Sequence, residues 1–144
     1  MEVNGYTIEP CADLYGADLS KAHLGFANLE DANLKGANLS ALVHQAPKWK
    51  IKDLYLDVGW VDQDLPPSFV VFFAPTLTHA NLDGANLTEA KLSFANLTNA
   101  NLEGADLTSA NLTGANLTGA NLRAATLEDA NLEGAIMPDG TIHE

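Results

Sequence analysis

The sequence predicts an all-β solenoid, and three observations carry that prediction. A large apolar residue returns at every fifth position from Leu77 to Met137, as it does earlier from Leu14 to Leu39. Alanine stands two residues before each of these except Leu77, as in Ala80-Asn81-Leu82 and Ala85-Asn86-Leu87. Glycine often fills the second position after the leucine, at Gly16, Gly36, Gly84, Gly104, Gly114, Gly119 and Gly134.

A period of five suits neither regular element. On an α-helix five residues turn about 500°, so successive leucines sit roughly 140° apart and wind around the axis. On a straight strand a step of five puts successive leucines on opposite faces. The chain must therefore bend once per repeat. Ala and Leu, two apart in a short extended segment, point inward together, and the Asn or Asp between them points out. The next two residues make the turn, where glycine supplies positive φ without steric cost. Bends in one sense close into coils, and coils stack.

Of the nineteen repeat centres eighteen are Leu and one is Met137, so the motif is highly specific. These A(D/N)Lxx motifs resemble the pentapeptide repeat family, and the likeness to small cyanobacterial-type members covers about two thirds of the chain. The resemblance implies a right-handed quadrilateral β-helix with four pentapeptides per coil, here of about five coils. Stacking then recurs at every fourth pentapeptide. The expected inner columns are Leu77-Leu97-Leu117-Met137, Leu82-Leu102-Leu122, Leu87-Leu107-Leu127 and Leu92-Leu112-Leu132. Outside, Asn81-Asn101-Asn121 and Thr78-Thr98-Thr118 form ladders, and Glu103 is expected to meet Arg123 one coil on.

The chain reads as a single domain over 1–144. Residues 1–11 form an N-terminal cap, with Val3, Tyr6 and Ile8 lying across the first coil. An open solenoid end exposes apolar side chains and unpaired backbone, so it needs a lid. Residues 12–41 give six repeats and residues 76–137 thirteen. The tail, 138–144, turns at Pro138-Asp139-Gly140, and Ile142 is expected to fold back over the last coil. His23, Phe26 and Phe94 fall at outward positions and read as solvated or lone exposed residues.

Between the two runs the repeat disappears. The step from Leu39 to Leu77 is 38, which five does not divide, so the sequence register breaks and resets. The inserted excursion, 42–75, holds six of the ten aromatic residues, too many for a disordered linker. Phe72 is in phase with Leu77 and has Val70 two before it, so the repeat resumes at either 72 or 77. Trp49, Tyr55 and Trp60, flanked by Lys48, Lys50 and Lys52, are the candidate partner-binding residues. Trp and Tyr dominate interface hot spots, and the plainer alternative is a loop that only covers surface.

The net charge of −12 disfavours nucleic acid and anionic membranes as direct partners. The single Cys11 excludes an internal disulfide and suits a reducing, cytoplasmic setting. No apolar run follows Met1, so neither a leader nor a membrane span is expected. Catalysis needs side chains positioned to share protons, and none is legible. His23, His44, His79 and His143 are scattered, and Cys11 has no base at a telling spacing. Asp57, Asp62 and Asp64 lack any calcium-loop spacing and read as solvated acids. The expectation is a non-enzymatic interaction or scaffold module, without metal or cofactor. Its partner would be an unknown protein docking at 42–75, and the chain itself a monomer or weak dimer. The alternative is an acidic DNA mimic that binds DNA gyrase or another DNA-binding protein. The family's quinolone-resistance members imply this alternative. A rod of about five coils, near 24 Å at about 4.8 Å each, is short for that role.

Overall fold

The computed structural model describes residues 2–22, 24, 27–40 and 75–144. Its backbone is a stack of coils joined by parallel bridges. One outer column runs Asp13, Asn33, Asn81, Asn101, Asn121, each paired with the next. A second runs Asn28, Thr76, Asn96, Asn116, Ile136, and a third Asp18, Asn38, Asn86, Asp106, Thr126. Lys91, Asn111 and Asn131 supply the fourth side. Partners in these parallel bridges stand four pentapeptides apart in the sequence, except on either side of the break. That spacing is the one expected for four-sided coils.

A five-residue unit inside the stack satisfies its own backbone, as the unit from Ala80 to Gly84 shows. The Leu82 N–H donates to the Asn101 carbonyl at 2.7 Å, and the Gly84 N–H to the Glu103 carbonyl at 2.8 Å, both one coil on. The Asn101 N–H returns a bond to the Ala80 carbonyl at 2.9 Å. At the corner the Ala85 N–H donates to the Leu82 carbonyl at 3.0 Å. That leaves the N–H just after the leucine, and the Asn or Asp side chain takes it. Asn81 Oδ1 accepts from the Asp83 N–H at 3.2 Å, and Asn111 Oδ1 from the Thr113 N–H at 3.0 Å. So the outward Asx is more than a ladder residue. It closes the turn as an Asx-turn does elsewhere.

The corner itself needs a left-handed residue. Gly84 and Gly104 adopt it at φ 64° and 65°, but so do Glu89, Phe94, Asn99 and Ala124 at 55–59°. Non-glycine residues are held there by the bonds on either side, against their intrinsic preference.

Leu19, Leu24, Leu29, Leu34, Leu39, Leu77, Leu82, Leu87, Leu92, Leu97 and Leu102 are fully buried, and the alanines beside them fill the narrow coil. Across the sequence break the stack keeps its register. Leu29 N–H bonds the Thr76 carbonyl, Leu34 N–H that of Asn81 and Leu39 N–H that of Asn86, at 2.7–2.8 Å. There Asn33 pairs with Asn81, whereas beyond the break Asn81 pairs with Asn101, so the chain between carries more than one coil's length of surplus. The resetting expected from a step of 38 is a property of the sequence numbering; the columns run straight through.

The ends differ. At the start, β1 (Glu2–Val3) and β2 (Tyr6–Thr7) form an antiparallel hairpin. Its turn residues Asn4 and Gly5 have φ 51° and 84°, the Asn-Gly pairing that tight hairpins favour. Ile8 is buried, with Val3 and Tyr6 packed against the core. At the other end the tail does fold back, with Ile136 bridging Ile142 in antiparallel fashion. But Ile142 is 69% exposed, contrary to the expected lid. The tail pairs with one backbone edge, through His143 N–H to Ala135 O and Gly134 N–H to His143 O, and its side chain points away from the core. Leu122, Leu127, Leu132 and Met137 of the last coil consequently stay half-exposed.

Burial therefore grades along the rod, and truncation should follow it. Leu97→Ala should cost about 2–5 kcal/mol, as core deletions of leucine do, and Leu127→Ala distinctly less. Urea unfolding of the two variants checks the order.

Candidate functional site

The six sequence-predicted residues Trp49, Tyr55, Trp60, Lys48, Lys50 and Lys52 lie outside the described residues, as do His23, Phe26, Phe72 and Asp57, Asp62 and Asp64. The structure does fix where the 42–75 segment attaches. On the near side the Ser40 carbonyl accepts from Lys21 N–H at 2.9 Å. On the far side Thr76 N–H donates to Ala27 O at 3.0 Å, and Pro75 O accepts from Asn96 N–H at 3.2 Å. Leu39 and Leu77 stand on two sides of the coil separated by one.

The neighbouring surfaces are ordered and polar. One column outside the Leu82 face reads Tyr15, Lys35, Asp83, Glu103, Arg123. Lys35 Nζ meets Asp83 Oδ2 at 2.9 Å, and that bond raises the Lys35 pKa. The expected Glu103–Arg123 contact is present at 3.7 Å, both side chains exposed and the pair correspondingly weak. Tyr15 is 68% exposed at the head of this column.

Threonines beside the Asx residues lock the turns further. Thr98, Thr113 and Thr118 each donate a hydroxyl to the Asn two residues back, at 2.7 Å. Where the acceptor is Asp the same bond is charge-assisted. Thr108 Oγ1 donates to Asp106 Oδ1 at 2.6 Å, and this hydroxyl, then the Thr108 N–H, holds the Asp106 carboxyl below its ordinary value of 3.8. Ser20 does the same for Asp18, and Thr141 for Asp139.

Phe94, expected to be a lone exposed aromatic, is only half-exposed. Its ring lies over the corner of the next coil, so a Cβ built on Gly114 would fall 2.6 Å from its Cε1. Glycine is needed there twice over, for φ 65° and for the ring.

One cluster has no signal in the sequence. Glu30, Asp31 and His79 each offer a donor atom within 4.8 Å of the others. His79 has a charged neighbour after all, with Nδ1 3.6 Å from Asp31 Oδ1. The long sequence separation set by the excursion hides it. Among the described residues no helix is long and apolar enough to cross a membrane.

A four-sided stack of five-residue units, closed by Asx side chains and filled by Leu and Ala, defines a β-helical repeat protein. The pentapeptide repeats profile, in eight copies, matches residues 12–41, 68–104 and 100–137. The chain belongs to the pentapeptide repeat family. Among solved structures it is similar to HetL, a pentapeptide repeat protein involved in heterocyst differentiation regulation from the cyanobacterium Nostoc sp. strain PCC 7120. Identity is 34% over 95% of this chain and 63% of HetL, with a TM-score of 0.38. It also resembles a pentapeptide repeat protein from the Arabidopsis thaliana thylakoid lumen, 25% identical over 92% of this chain and 70% of that one, TM-score 0.45. A further Nostoc PCC 7120 member is 36% identical over 82% of this chain and 66% of its own, TM-score 0.23. The chain thus spans less than two thirds of the length of HetL. No curated protein sequence matches.

Two predictions come from this geometry. Gly114→Ala should destabilise by at least about 1–2 kcal/mol from the left-handed backbone alone, plus the collision with Phe94. In a Phe94→Ala background the collision part should vanish, as a double-mutant cycle in urea will read. Second, a carboxyl whose folded pKa is depressed stabilises above its unfolded value and loses that contribution as pH falls through the folded one. Asp18, Asp106 and Asp139 all have that sign. Asp106→Asn keeps both Thr108 bonds, as Asn96 does with Thr98. It should lower the melting midpoint slightly at neutral pH, where the charge-assisted bond is lost, and flatten the fall of the midpoint as pH drops below about 4.

Proposed function

We propose that this is a non-enzymatic protein-interaction module whose 42–75 segment is the docking element. The observation that carries the reading is that the columns continue across a sequence step with more chain than one coil uses. The segment that contains the surplus holds Trp49, Tyr55, Trp60 and three lysines in a chain of net charge −12. A coil that elsewhere closes with four pentapeptides has no need of that much chain. Aromatic anchors beside basic residues suit a protein surface with apolar pockets and an acidic rim. The same reading takes the fold to be a right-handed helix of about five coils. The 1–11 hairpin serves as its first cap and the 138–144 return as a partial second one. It takes the chain to act in the cytoplasm, as a monomer or weak dimer.

The alternative, an acidic mimic of DNA directed at gyrase, is favoured by the charge alone. Gyrase supercoiling in the presence of micromolar protein decides it, since an unaltered rate removes mimicry.

The docking reading is tested by excising residues 42–69. The excision puts Phe72 five after Leu39 and Leu77 ten after it, so the five-residue period runs unbroken. This variant should fold with an undiminished thermal midpoint yet lose the proteins that the full chain captures. A full chain carrying alanine at Trp49, Tyr55 and Trp60 should lose the same proteins. Capture of an identical set by all three proteins would rule the segment out as the docking element.

A further inference from the structure

Glu30, Asp31 and His79 share one edge of the rod, on the two coils that the excursion separates. Their backbones are fixed: Asp31 N–H donates to Thr78 O at 2.9 Å, His79 N–H to Thr98 O at 2.9 Å, and Glu30 N–H to Asn28 Oδ1 at 3.0 Å. All three side chains reach solvent. One imidazole nitrogen and two carboxylate oxygens, within 4.8 Å of one another, make a donor set suited to a first-row divalent metal. Three protein ligands leave further positions for water.

The next coil supplies a partner of the kind such a histidine needs. A ligating imidazole normally donates its other N–H to a neighbouring acceptor. His79 Nε2 lies 3.1 Å from Asn99 Nδ2, while Nδ1 faces Asp31. Turning that amide end for end presents Oδ1 to Nε2, and the two orientations occupy the same space. Gly119 below leaves room, since a Cβ there would collide with the Asn99 amide. Three stacked corner residues, Asp31, His79 and Asn99, would then act in sequence as ligand, ligand and orienting group. The chain's net charge of −12 adds long-range attraction for a cation.

We propose that this edge binds one Zn²⁺ ion through His79 Nδ1 and one carboxylate oxygen each from Asp31 and Glu30, with Asn99 orienting the imidazole. The ion would join the coil before the 41–74 segment to the coil after it. Binding to the folded chain alone would then raise its apparent stability by mass action.

The test is calorimetric titration of the full chain, first freed of metal by a chelator, with zinc chloride alone. Thermal melts run alongside with and without zinc. The expected result is saturable uptake of one ion and a raised melting midpoint. His79→Gln and Glu30→Gln should abolish both effects. The Glu30 variant keeps its backbone bond to Asn28, so it remains informative should the His79 variant fold poorly. Asn99→Ala should weaken binding about 10–100-fold, as loss of an orienting group does. His143→Gln, on the tail, should change nothing. Absence of saturable uptake by the full chain would overturn the proposal, and so would uptake that survives both His79→Gln and Glu30→Gln.

Discussion

The structure depends on one constraint: every backbone N–H in a five-residue turn must find an acceptor without a helix or a long strand to provide it. In a unit inside the stack such as Ala80 to Gly84, three of the five look to neighbouring coils, one closes the corner, and the fifth is taken by the Asn side chain. Remove the Asx and the N–H after the leucine must turn to water. Remove the neighbouring coil and three bonds go with it. Hence the unit is stable only when stacked, as in other solenoids. This also explains how so small a core suffices. Leu and Ala need only fill a narrow square, because the hydrogen bonds already set its dimensions.

The same bonding explains how non-glycine residues hold a left-handed corner. Glu89, Phe94 and Ala124 carry nearly the same φ as Gly84, between bonds that leave no other path. Glycine becomes obligatory only where something leans on the corner, as Phe94 does on Gly114. The many glycines of the sequence thus divide into those that ease a turn and those that make room.

Most of this was legible in the sequence. The leucine columns follow from the period and from the family's four sides, and Leu82, Leu102 and Leu122 stack as their spacing requires. Three features were not legible, each for a physical reason. The stack's continuity past the break depends on which coil lies beneath, and a step of 38 conceals that Asn33 stacks on Asn81. The Glu30–Asp31–His79 cluster was hidden by the same displacement. Ile142 was expected to cover apolar ends, but a returning strand satisfies backbone first, and its parity turned that side chain outward. The Asn4-Gly5 hairpin, by contrast, carries a readable signal in its dipeptide, masked by the apolar alternation around it.

A fold that closes its own turns leaves its outer residues free to vary. The inward positions are largely Leu and Ala by volume, and the outward position between them favours Asn or Asp as an acceptor, though Thr76, Lys91, Thr126 and Ile136 also stand there. The two turn positions are constrained only by φ at the second. Along one edge these positions read Asp31, His79, Asn99, Gly119; around another, Tyr15, Lys35, Asp83, Glu103, Arg123. Residues one coil apart are held at nearly the strand spacing, about 4.8 Å, which is also the distance over which side chains pair, bridge or share an ion. Function on such a rod is therefore written in columns, with a full coil of sequence between neighbouring characters. The surplus at 42–75 breaks the written interval without breaking the column. It sets Asp31 directly above His79.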